Sequence, residues 1–201
     1  MSAEEETIKA AASKTKHMFG KSDNHLRLAF AIPGILHPEK SPAQIDYDLA
    51  LQTFKINTLG PMLLMKHFCA FLPRKASHSL TPLDGLPARA VWGTMAARVG
   101  STTDNVKGGW YSYRASKAGV VSLAKTFDLY LQGVSGEHAV SVALHPGTVK
   151  TNLSKDFWDT VEGGKLFAPE LAAKQLCEVV NGAKMSERGL FLDWAGKVIK
   201  P

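Results

Sequence analysis

Cysteine is scarce: the 201 residues contain two, Cys69 and Cys177. Both fall within apolar helical patterns, so they read as reduced core residues rather than a disulfide. No apolar run reaches the ~18 residues of a membrane-spanning helix. The N-terminus lacks the apolar centre of a secretory signal, so a cytoplasmic protein is expected, with no membrane partner. None of the seven histidines has His-x-x-x-His or His-x-x-Glu-His spacing, and no metal site is expected. A Gly-x-Ser-x-Gly elbow is absent, so a hydrolase reading has little support. The net charge is +6, yet the basic residues are scattered, without a block and without interleaved aromatics. They read as a solvated surface, and no nucleic-acid partner is expected.

What is present is an ordinary globular composition, 45% hydrophobic and 21% charged, expected to form one domain over residues 1–201. Ser2-Ala3-Glu4-Glu5 reads as a capping box that opens a helix to about Phe19. Leu26 to Ile32 is a short apolar run ending in Pro33-Gly34, the pattern of a buried parallel strand. Ser41-Pro42-Ala43-Gln44 starts a long helical pattern to about Leu72. Pro61 lies inside it and has no N–H, so the Asn57 carbonyl loses its helical partner and a kink is expected there. After a polar loop, Ala88 to Thr94 and Ala139 to His145 read as strands. Pro169 opens a last helix to about Ala183, and Gly189 to Trp194 is a final strand. Strands alternating with helices imply an α/β fold with a mostly parallel sheet.

The chemistry centres on Tyr113 and Lys117. Val120, Val121, Leu123, Ala124, Phe127 and Leu131 recur after them at helical spacing. The two side chains therefore lie one turn apart on one helix face. A phenol beside a fixed ammonium is an acid/base device, and the charge is expected to draw the tyrosine pKa below its usual ~10.

Gly108-Gly109-Trp110-Tyr111-Ser112-Tyr113-Arg114-Ala115-Ser116-Lys117 resembles the active-site helix of the short-chain dehydrogenase/reductases, most of all the branch containing C-factor and the sniffer carbonyl reductases. The resemblance implies a Rossmann-like sheet with helices on both faces. It implies hydride transfer between NADP (or NAD) and a small carbonyl or alcohol, with Tyr113 as proton donor and Lys117 binding the nicotinamide ribose. Asn57, in Asn-x-x-Gly, matches the residue whose main-chain carbonyl holds a water next to the active-site lysine. Pro146-Gly147-Thr148-Val149-Lys150-Thr151 matches the turn that orients the nicotinamide amide, through the Val149 backbone and the Thr151 hydroxyl. The family's helices bearing Asn57 and Tyr113 imply a homodimer.

Three departures follow from the same comparison. The strand that in the family ends in Asn-Asn-Ala-Gly ends here in Ala31-Ile32-Pro33-Gly34. The serine that hydrogen-bonds the substrate carbonyl falls on Ala97, and Ser101 is a secondary candidate for its role. The Gly-rich pyrophosphate turn, Thr-Gly-x-x-x-Gly-x-Gly, has no counterpart, so the chain reads as an N-terminally truncated member without the strands before Leu26. A catalytically inactive binding or dimerisation module is the alternative to an oxidoreductase.

Overall fold

The computed structural model describes residues 3–19, 24–77, 81, 83–161 and 163–201. Ser2 and most of the loop at 20–24 lie outside the described residues. The elements are α1 (Ala3–Phe19), β1 (Leu28–Ala31), α2 (Tyr47–Phe54), α3 (Gly60–Phe68), β2 (Ala90–Met95), α4 (Tyr111–Val134), β3 (Ala139–His145), β4 (Thr148–Val149), β5 (Leu166–Phe167), α5 (Pro169–Asn181) and β6 (Phe191–Asp193).

The main sheet runs β1-β2-β3-β6, with every pair parallel. β2, β3 and β6 bury both faces, as parallel strands do when helices cover the sheet on two sides, whereas β1, expected as a buried strand, is half-buried over Leu28 to Phe30 and buried at Ala31. Trp92 and Ala139 point to one face, where Met65, Phe127 and Leu131 of α3 and α4 cover them. Val91, Val140, Val142 and Leu144 point to the other, against Leu176 and Val180 of α5. This is the Rossmann-like architecture expected of the sequence, and no strand precedes β1 among the described residues. The sheet therefore presents the C-terminal ends of β1, β2 and β3 side by side, where α/β folds bind their ligands.

Two local expectations change. The long helix from Ser41 is broken: a 3-10 turn at Pro42–Gln44 precedes α2, and a π-helical turn at Lys55–Leu59 joins α2 to α3. Pro61 withholds the donor an α-helix needs, and the chain adapts by widening the turn, with Gly60 N–H donating to the Lys55 carbonyl. Cys177 is exposed and Cys69 half-buried; both are free thiols, and neither belongs to the deep core.

Asp128 ties α4 to the sheet. Fully buried on α4, it accepts the Ser141 N–H of β3 (3.1 Å) and the Arg188 Nε of the loop before β6 (2.9 Å).

Candidate active site

A cavity of about 880 Å³ opens at the C-terminal ends of β1, β2 and β3. Tyr113 and Lys117 line it from α4, Ala96 and Ala97 from the loop after β2, and Pro146, Gly147, Val149 and Thr151 from the turn after β3. Its volume suits a cofactor-sized ligand.

Tyr113 is 7% and Lys117 2% exposed. The Lys117 Nζ lies 5.9 Å from the Tyr113 ring centre. It donates to the Met95 carbonyl at 2.8 Å and approaches the Pro33 carbonyl at 3.5 Å. The expected fall in the tyrosine pKa is not found. Burial pushes Tyr113 up to about 12 and Lys117 down to about 8. Desolvation disfavours the charged form of each, and for the tyrosine this outweighs the nearby ammonium.

The loop ahead of α4 explains the Gly-Gly pair. Gly108, Gly109 and Trp110 all have positive φ, and Trp110 (φ 52) is the non-glycine residue that does so among the described residues. Such a conformation costs a bulky L-residue roughly 1–3 kcal/mol. It is held by Trp110 N–H donating to the Glu39 carbonyl (2.6 Å) and by Arg114 N–H donating to the Trp110 carbonyl (2.8 Å). A side chain at Gly109 would sit 3.2 Å from the same Glu39 oxygen. The result is an indole edge-on to Tyr113 (6.1 Å) and against Phe157 (4.8 Å), forming an apolar wall of the cavity.

Asn57 is fully buried but does not line the cavity. Its Nδ2 donates to the Ile35 carbonyl (2.9 Å) and to the Ser116 Oγ (3.0 Å), and its Oδ1 accepts the Ile35 N–H (2.8 Å). This side-chain role went unread in the sequence. It pins the loop after β1 to α4, beside Lys117, and it does so where the family's Asn-Asn-Ala-Gly is replaced.

Ser101 does not line the cavity. Its hydroxyl donates to the Lys200 carbonyl and accepts the Asp104 N–H (3.0 Å), so it braces the C-terminal segment rather than the cavity. Gly100 beside it allows close approach: a Cβ there would lie 2.7 Å from the Lys117 backbone. At Gly147 (φ 76) a Cβ would meet the Phe167 ring at 2.5 Å, which accounts for the glycine in the Pro-Gly turn.

No established family profile matches the chain. It is 32% identical over 199 residues to the 1-hydroxy-2-glutathionyl-2-methyl-3-butene dehydrogenase of Rhodococcus sp. (strain AD45), covering 94% of this chain and 76% of that one. It is 29% identical to the C-signal protein of Myxococcus xanthus over 152 residues, 76% of this chain and 78% of that one. The structure of an NADPH-bound carbonyl reductase from chicken fatty liver superposes with a TM-score of 0.81 at 25% identity, over 98% of this chain and 73% of that one. With these relatives and a parallel sheet presenting a Tyr-x-x-x-Lys helix, the chain belongs to the short-chain dehydrogenase/reductase family of oxidoreductases. The likeness to the C-signal protein is consistent with the C-factor and sniffer-like branch of that family. No helix of the described residues is long and apolar enough to cross a membrane, and no cluster of His, Cys, Asp or Glu among them is set to hold a metal.

Proposed function

We propose that the chain reduces a small carbonyl compound, or oxidises the matching alcohol, with NADPH or NADH. The observation that carries this is Tyr113 and Lys117 side by side in a cavity at the strand ends, with an apolar wall of Trp110 and Phe157.

The residues present fit the nicotinamide half of such a cofactor. All the charged side chains lining the cavity among the described residues, Arg98, Lys107, Arg114 and Lys117, are cationic, as suits a phosphate-bearing ligand. Gly34 leaves open the space next to the Lys117 Nζ, 3.4 Å from where its Cβ would be. Lys117 would hold the ribose, and the Pro146–Thr151 turn would face the carboxamide. When bound, a reduced nicotinamide supplies the hydride. Tyr113, protonated at neutral pH, gives its phenolic proton to the carbonyl oxygen as the carbonyl carbon gains that hydride. The Lys117 ammonium stabilises the phenolate left behind. The Asn57 carbonyl holds the water that returns a proton from solvent. A second copy of the chain packs on α2, α3 and α4; Tyr47, Leu51 and Phe54 of α2 and Met62 of α3 are exposed apolar residues.

The pH dependence has a definite sign. Below about pH 8 Lys117 is charged and supports phenolate formation; above it the charge is lost, while Tyr113 remains protonated. The kcat/KM for reduction, which reports the free enzyme, falls as pH rises through about 8. A profile flat from pH 7 to 10 contradicts the role given to Lys117. The alternative, a cofactor-free binding module, draws on Ala97. It is separated from the first reading by NADPH-dependent turnover of 9,10-phenanthrenequinone, which a binding module lacks.

A further inference from the structure

A family-type carbonyl reductase uses two donors on the substrate oxygen, a tyrosine and a serine, and here the serine position is Ala97. His145 ends β3 and lines the same cavity as Tyr113 and Ala97. Strand register sets Met95 opposite Leu144, and the Ala96 N–H donates to the Leu144 carbonyl at 2.8 Å. His145 therefore lies alongside the Ala96–Ala97 loop. Its Nδ1 accepts the backbone N–H of Arg98, the residue that follows Ala97, at 3.3 Å.

We propose that the Nε2–H of His145 donates the hydrogen bond that polarises the substrate carbonyl, in place of the hydroxyl that Ala97 lacks. This rests on the reductase reading above. A backbone N–H can only donate, so the Nδ1 of the neutral ring must accept and the proton resides on Nε2. The Nε2 has no hydrogen-bond partner among the described residues. The ring is also kept neutral. Burial pushes its pKa down to about 4, and the Arg98 guanidinium adds to this against the opposing carboxylates of Asp193 and Asp104. The Arg98 guanidinium is turned to the carboxylates of Asp104 (2.8 Å) and Asp193 (3.1 Å). A neutral imidazole donor polarises the carbonyl without competing with Tyr113 as the acid. Tyr113 gives the proton, a bound reduced nicotinamide would supply the hydride, and His145 keeps its own proton throughout.

Two measurements test this. The first is nitrogen-15 NMR of the imidazoles, with His145 assigned through His145→Gln. The expected result is an Nε2–H tautomer that stays neutral down to pH 5, and whose Nε2 signal moves when 9,10-phenanthrenequinone is added. An Nδ1–H tautomer, a ring that titrates near 6.5, or an unmoved signal overturns the proposal. The second is kinetics with NADPH and the same quinone. His145→Ala lowers kcat/KM about 10²–10³-fold, the usual loss for one transition-state donor. Ala97→Ser placed in the His145→Ala background restores at least tenfold of it. Activity of His145→Ala within twofold of the parent overturns the proposal. So does a failure of Ala97→Ser to restore activity in a variant that melts normally, because a ring that merely braces Arg98 is not replaced by a hydroxyl at position 97. Absence of turnover in the parent chain defeats the reductase reading instead, and the NMR result then decides the role of His145 alone.

Discussion

Replacing Tyr113 by Phe lowers kcat for carbonyl reduction by about 10²–10⁴-fold, the range lost with a positioned general acid. Phe fills the same buried volume, so the core around α4 stays packed and the folded state is retained. Only the phenolic O–H is removed. The proton transfer it performs exists in the transition state and not in the ground state, so kcat and kcat/KM fall together while KM stays near the parent value. Steady-state kinetics of the variant, with a melt to show that it is folded, check this. A variant with parent kcat removes Tyr113 from the chemistry.

Asp128→Ala costs about 3–5 kcal/mol of stability, the usual penalty for leaving one half of a buried ion pair alone. Asp128 is fully buried and the Arg188 side chain is 16% exposed. Besides its bonds to the Ser141 N–H and Arg188 Nε, the carboxylate accepts from Gln132 Nε2 (3.0 Å). The truncation strands the Arg188 guanidinium and a strand N–H at once. For a domain whose whole stability is of order 5–15 kcal/mol, such a loss is a large share. Because Asp128 anchors the helix that carries Tyr113 and Lys117, activity declines with the folded fraction. Urea unfolding of the two proteins measures the difference; a change below 1 kcal/mol contradicts the role assigned to Asp128.

The parts of the fold legible in the sequence were those with strong local signals. β3 occupies the expected Ala139 to His145, an apolar run closed by Pro-Gly, and α4 carries Tyr113 and Lys117 on one face as their spacing predicts. The Pro61 break was legible as an interruption, but not its form. Whether a chain kinks or widens into a π turn depends on what packs around it. Tertiary burial also decided what the sequence could not. The ammonium near Tyr113 pointed to a lowered pKa, whereas desolvation raises it. Ser101 had the right chemistry and the wrong surroundings, since the Lys200 carbonyl takes its hydroxyl. Ala97 was visible as a loss; that an imidazole from the neighbouring strand lies beside it needs the register of β2 and β3. The left-handed Trp110 was hidden in the same way, because the contact with Glu39 that holds it joins residues distant in sequence.

Binding of the cofactor underlies every step assigned to Tyr113, Lys117 and the Pro146–Thr151 turn. The most direct measurement is a thermal melt of the 201-residue chain with and without excess NADPH, and separately NADH. A dinucleotide at ~100 times its Kd adds about 2.7 kcal/mol to the folded state. In a protein of this size that raises Tm by roughly 5–11 °C. A cooperative melt that moves up by this amount with at least one of the two is the expected result. A cooperative melt that neither dinucleotide moves at millimolar concentration contradicts a nicotinamide-dependent oxidoreductase.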